Sequence, residues 1–398
     1  MKIGCQNRAV AGMKLRTFII DHKTGQVQKV SPWHHNTIMN QGLNLLAAGK
    51  GFAGIMSEIF VGASNTQNYA HNVSITFTQS GSTITASGAF FTSGMVGQLF
   101  KYGTGTGGAE YYITAYTDST HVTVDTSATV SSASQGTVWN VTQTNLVSPL
   151  FTSTLVLADA GNGTVIASPG VIQLTCKYQF AVQGSPYTVN EIGYGFSSGT
   201  MAGRVVLGSS DVVPTTSFYV VQCVMTYTVS PCAAAAAFPN TGTNINVAGN
   251  GIYNTYSCTA IAATTGAPTT YQQIVGGSQS ALMDSLNLIM VVNTTSFSLP
   301  SAISTGASSG ISGSFIQLTG QLGFTQSGIG ISTCSGSFNV TTSGQTAYGF
   351  TIGGFSAGGV LNLTQFQLLF TTPQTLPSGS FQGTFAWQNV FSRTLSNP

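Results

Sequence analysis

The sequence predicts a mostly β protein, built of antiparallel β-sandwich or jelly-roll-like domains with a small inserted β module and one short helix. Three observations carry this. Apolar and polar residues alternate over short runs, the period that sends successive side chains to opposite faces of a strand. Gly, Ser, Asn and Asp interrupt these runs about every ten residues, the rhythm of sandwiches and small barrels. Only residues 36–48 place their apolar positions at helical spacing.

Residues 14–20 (KLRTFII) and 26–30 (QVQKV) read as two strands around DHKTG, a hairpin with Gly25 at its tip. In 36–48, Ile38, Met39, Leu43, Leu45 and Leu46 fit one helical face; Asn36 would cap the helix and Gly49 would end it. A strand at 58–63 (EIFVGA) leads into a loop over 64–72. Residues 73–146 change texture, with short strands expected at 74–78, 83–86, 98–102, 111–115, 121–124 and 137–141. This stretch is read as a β module inserted into an N-terminal docking domain made of 1–72 plus 147–230. GTGTGG at 103–108 is a hairpin tip, because no helix follows to make it a phosphate loop.

The first domain resumes with strands at 152–156 and 170–182 and is organised around 189–207, VNEIGYGFSSGTMAGRVVL. There Ile192, Tyr194 and Phe196 share one face, and Glu191, Gly193 and Gly195 the other. A hairpin centred on Thr200 would set Arg204 opposite Phe196, so a Glu191–Arg204 salt bridge requires a shifted register or a bulge. The two glycines leave room for another backbone to approach. Residues 231–240 (PCAAAAAFPN) break the composition and are read as a linker. A C-terminal β-sandwich domain follows over 241–398, with strands expected at 252–256, 271–274, 286–292, 314–318, 336–340, 347–352, 360–370 and 380–391.

Charged residues make up 5% of the chain, against about a quarter in ordinary soluble proteins. The longest apolar run, 282–292, is half the length of a membrane helix and contains Asp284, so no membrane span is expected. Aromatic residues at 10% exclude disorder. Hydroxyls, amides and backbone must then cover the surface, which solvates weakly and suits a subunit covered by its neighbours.

Six of the eleven basic residues precede residue 30, against the single acid Asp21. Lys14, Arg16, Lys23 and Lys29 are the candidate docking residues for an acidic partner, a solvated ribbon being the simpler account. Nucleic acid is not expected, since no aromatic residues interleave these charges along the chain. The six cysteines have no metal-type spacing and are read as reduced, and the N-terminus has no apolar signal region. No GxSxG elbow sits at a strand-to-helix turn, Asp118 and Asp125 read as turn residues, and the adjacent His34 and His35 would point to opposite faces of an extended segment. Trp33 anchors its own segment. No catalytic residue, metal or cofactor is expected, and the chain is read as a non-enzyme.

At SPWHHNTIMNQGLNLLA, together with VNEIGYGFSSG, RVVL and the strand running into Ser230 and Pro231, the chain resembles structural proteins of tailed bacteriophages. The inserted stretch VGQLFKYGTGTGGAEYYITAYTDSTHVTVD is similar to small β modules of phage virion proteins. The resemblance spans residues 30–231. It implies a tail, baseplate or tail-fibre associated virion subunit, made in the host cytoplasm without a signal peptide. Copies of itself, as a trimer or ring, and other virion proteins would be its partners. Host-surface glycan is a further expected partner, with Trp387, Tyr253 and Tyr256 as the candidate contacts. The alternatives are a capsid decoration or jelly-roll head protein, a glycan-cleaving tailspike with acids in a groove, and a secreted adhesin.

Overall fold

The computed structural model describes residues 2–47, 55–102, 110–157, 163–168, 171–196, 200–233, 251–253, 288–296, 315–317, 325–355, 361–376 and 378–395. Strands β1 (Lys2–Asp21), β2 (Val27–Val30) and β3 (His34–Ile38) precede the helix α1 (Asn40–Ala47), and β4 (Glu58–Gly62) follows it. A separate six-stranded sheet comes next: β5 (Tyr69–Asn72), β6 (Phe77–Ala86), β7 (Leu99–Tyr102), β8 (Glu110–Asp118), β9 (His121–Ala133) and β10 (Gly136–Trp139). The chain returns through β11 (Pro149–Ser153), β12 (Gly163–Ser168), β13 (Val171–Phe180), β14 (Tyr187–Gly195), β15 (Met201–Val213) and β16 (Ser217–Ala233). The mostly β fold is borne out, with one short α-helix among the described residues.

Alternation along β1 explains its place. Ala11, Met13, Leu15 and Ile19 are buried, while Lys14, Arg16 and Phe18 between them are partly exposed. One ladder joins β1 to β16 from Gln6↔Ala233 to Asp21↔Ser217; others join it to β3 at Met13↔Asn36 and to β2 at Phe18↔Val30. β3 then changes partner, since Thr37 pairs with Arg204 and Ile38 with Gly203 of β15. From β15 the ladder passes to β14, β4 and β11. Just beyond β11, Val156 bridges to Tyr178 of β13, which pairs in turn with β16. The sheet therefore curls until that bridge closes it on itself. Inside lie Leu15, Ile19, Ile38, Val61, Tyr178, Ile192, Tyr194, Val205, Tyr219 and Met225, with Leu43 and Leu46 of α1.

The six-stranded sheet runs in the order β5-β10-β7-β8-β9-β6 and packs its own core of Phe77, Phe91, Phe100, Tyr111, Ile113, Val122 and Val124. Gly136 has no side chain because a Cβ there would lie 2.7 Å from the Phe77 ring. Expected strands 74–78 and 83–86 are one element, β6; bulges and Gly81 at φ 60° let it bend without ending. β5 lies within the stretch read as loop, where only four residues pair.

Asn36 does not cap the helix. It is paired in β3 opposite Met13, and the helix begins at Asn40 because residues 36–38 are taken into the ladders of β1 and β15. β16 runs through Pro231 to Ala233, past the expected strand end. A register shift between Gln6 and Arg8 opposite it supplies a bulge that tolerates the missing proline N–H.

In the last part of the chain β17 (Gly251–Tyr253), β18 (Leu288–Asn293), β19 (Phe315–Gln317), β20 (Thr325–Gly328), β21 (Ile331–Ser343), β22 (Thr346–Phe355), β23 (Leu361–Thr375) and β24 (Ser378–Arg393) are all strands. β24 runs parallel to β1 from Lys2↔Thr384 to Ala11↔Arg393, so strand pairing crosses the division expected at 231–240. Gly49, 103–108, 234–240 and the strand expected at 271–274 lie outside the described residues.

Candidate functional site

The organising pair is real and rests on bulges. The β14–β15 ladder shifts between Tyr194 and Gly195, which sets Arg204 opposite Gly193, on the Glu191 face, and it shifts again between Val189 and Glu191. Arg204 Nε lies 2.7 Å from Glu191 Oε2, with side chains 1% and 0% exposed. Buried charges need every remaining lone pair and proton satisfied. Glu191 accepts the Ser148 N–H at 2.7 Å and the Val147 N–H at 3.2 Å; Arg204 donates to the Thr66 carbonyl at 2.8 Å and to Gln143 Oε1 at 3.4 Å. Thr66 lies on the chain entering the six-stranded sheet, and Gln143, Val147 and Ser148 on the chain leaving it. One ion pair thus grips both connections. Gly62 is required beside it, since a Cβ there would stand 2.5 Å from Glu191 Oε1 and 2.6 Å from the Ser148 carbonyl. Gly195 admits a backbone approach as expected, with the Thr200 carbonyl 2.4 Å from where its Cβ would be, whereas Gly193 faces Met201 and Leu146 side chains.

A second clamp was not legible beforehand. Arg393 donates from Nη1 to the Ile38 carbonyl at 2.6 Å, and from Nη2 to Asn40 Oδ1 and to Tyr112 Oη, the latter at 2.9 Å. It joins the end of β24, the start of α1 and the six-stranded sheet at one point. Leu395 beside it packs with Leu99, Trp139 and Val141. The only available signal was that Arg393 is the sole base after residue 204.

The four candidate docking residues separate. Lys29 pairs with buried Asp211 at 2.7 Å, and Asp211 also accepts the hydroxyls of Thr17 and Tyr219. Lys23 sits in the exposed turn that Asp21 Oδ1 orders by accepting the N–H groups of Lys23 and Thr24. Lys14 and Arg16 alternate with the buried residues of β1 and so reach its outer face. There Lys14 Nζ and Arg16 Cζ lie 4.7 and 4.6 Å from the Trp33 ring centroid. Arg16 Cζ also lies 5.0 Å from Phe18, and Lys177 Nζ of β13 lies 5.8 Å from the same ring. Arg16 Nε donates to Gln222 Oε1 at 2.8 Å. Trp33, 36% exposed, carries two cations rather than being buried as an anchor. Tertiary folding thus supplies the interleaving of cations and aromatics that the linear sequence lacks.

The candidate glycan contacts are not gathered in the described backbone. Trp387 lies in β24 opposite Cys5 and Cys334, Tyr253 lies in β17 opposite Phe366, and Tyr256 lies outside the described residues. No group of three or more His, Cys, Asp or Glu able to hold a metal occurs among the described residues. Asp118 is held by the Thr120 hydroxyl and N–H and by His121, which lowers its pKa to about 2. His34 is half-buried, and that burial lowers its pKa, while His35 is exposed. Cys176 and Cys223 are free thiols, and burial pushes Cys176 up to about 11. No helix among the described residues is long and apolar enough to cross a membrane. Comparison of the chain with protein-family models, with curated proteins and with solved structures finds no match.

Proposed function

We propose that the chain is a virion structural protein of a tailed phage, an oligomeric tail or tail-fibre associated subunit that serves assembly and host-surface attachment rather than catalysis. The observation that supports this best is where the few charges go. Lys101, Glu191, Arg204, Asp211 and Arg393 are each no more than 5% exposed. A chain with 5% charged residues therefore spends several of them inside, which leaves few to solvate its surface. Such a surface has little self-repulsion and gains from being covered by like subunits. Exposed Val27, Val30, Leu150, Leu155 and Val156 add apolar area to the same account. Size-exclusion chromatography with light scattering should find a homo-oligomer at micromolar concentration; a stable dilute monomer would overturn the proposal. Negative-stain images of particles labelled with an antibody to residues 241–398 should mark the tail. Label on the head would replace it with the decoration-protein alternative.

A further inference from the structure

We propose that the outer face of the β1–β16–β13 ladder is a binding surface for an acidic polysaccharide, with Lys14, Arg16 and Lys177 as its cations. This names a ligand class for the attachment role above and rests on that role for its biological setting. The register builds the face. Arg16 lies opposite Gln222, and Gln222 opposite Lys177; one step of two residues along, Lys14, Val224 and Thr175 form the next row. Strand geometry then places Lys14 and Arg16 about 7 Å apart, and Arg16 and Lys177 about 10 Å apart across the ladder. Leu15, Cys223 and Tyr178, at the alternate positions, point into the core.

Three of only eleven basic residues meet here, drawn from segments about 160 residues apart. Elsewhere the described cations Lys29 and Arg204 meet carboxylates, whereas Lys14 and Arg16 have no carboxylate partner among the described residues. They are nonetheless held in place. Trp33 carries both cations, and Gln222, 8% exposed, fixes the Arg16 fork. A preorganised cation loses less entropy on binding an anion than a free surface lysine does.

Charge complementarity requires an anionic occupant, and the face selects among them. A peptide cannot add here as a strand, because β16 flanks one edge of β1, and β2 and β3 flank the other. Stacked nucleic-acid bases need open aromatic faces, yet Trp33 and Phe18 already carry cations. What remains is a field of cations beside the amide of Gln173 and the hydroxyls of Thr175 and Thr226, all partly exposed on the same face. Carboxylates and hydroxyls of a uronic-acid polymer match both kinds of group.

The test uses the intact chain and polygalacturonate, measured by biolayer interferometry at low and high salt, with neutral dextran as control. Binding should weaken steeply with salt and be absent for dextran. Lys14→Gln with Arg16→Gln should weaken it at least about tenfold without loss of thermal stability, and Arg16→Lys should fall between. If the double variant melts early, Lys177→Gln gives the same readout. Absence of polygalacturonate binding, or equal binding by these variants, overturns the proposal. So does tighter binding of oligothymidylate or polyglutamate, which would assign the face to nucleic acid or to an acidic protein. A monomer by light scattering that still binds polygalacturonate would remove the subunit reading and leave this face standing.

Discussion

Replacing Glu191 with alanine leaves the Arg204 guanidinium, 1% exposed, without its counter-ion, and takes the acceptor from two backbone N–H groups at Val147 and Ser148. Breaking a buried pair from one side costs about 3–5 kcal/mol, and each orphaned buried donor adds about 1 kcal/mol or more. Taking about 5 kcal/mol, the low end of that sum, and about 2–4 °C per kcal/mol for a domain of this size, the melting temperature should fall by about 10 °C or more. The loss should be local as well. Because the pair grips both connections to the six-stranded sheet, amide hydrogen exchange should accelerate first at Ser148, Val147 and the neighbours of Thr66. Changing both partners to methionine removes the buried charges together, so the Glu191→Met/Arg204→Met protein should recover much of the loss. Differential scanning calorimetry and exchange mass spectrometry read both effects. A Glu191→Ala protein that melts within about 2 °C of the parent, or a double variant no better than the single one, would refute the clamp.

Gly62→Ala should destabilise by about 1–3 kcal/mol, since its Cβ would meet Glu191 Oε1 at 2.5 Å, whereas Gly208→Ala, with nothing within 4 Å, should leave the melting temperature nearly unchanged; equal effects would sink the packing account. Arg393→Met leaves the Ile38 carbonyl and Asn40 without their donor and should cost about 3 kcal/mol; limited proteolysis should then release the C-terminal strand sooner, and unchanged cleavage would count against the second clamp. Burial lowers the His34 pKa below its ordinary 6.5, an effect that nearby Asp211 opposes and His35 reinforces. The unfolded chain therefore takes up its proton first, and stability should fall as pH drops below 6.5 until the folded-state pKa is passed, with no contribution above it. His34→Gln should flatten denaturant midpoints over that range; an unaltered slope would remove His34 as the cause.

Strands were legible at 14–20, 58–63 and 189–207, although only in the first does one face meet a core and the other not; β4, the second half of β14 and the start of β15 are buried on both faces. The helix was legible in kind but not in its start. Asn36 has the chemistry of a cap, yet pairing with β1 and β15 offers residues 36–38 more hydrogen bonds than one capped turn would. β6 was divided in two because glycine and serine at 80–82 look the same in a bulged strand as in a turn. Of the residues singled out for docking, only Lys14 and Arg16 share a face; Lys29 is drawn away by Asp211, which sequence spacing could not pair with it.

Local chemistry, then, determined the β class, the single helix, the scarcity of charge and the requirement that any Glu191–Arg204 contact be made through a bulge. These depend on neighbours within a few residues, where side-chain period and turn preference act. Tertiary structure alone decided that the bulge is there, that the pair clamps two connections some eighty residues apart, and that Arg393 returns to Asn40 and Tyr112. Register is a property of two strands at once, and a shift of one residue sends a side chain to the other face. Which charges meet is therefore set only when the sheet closes.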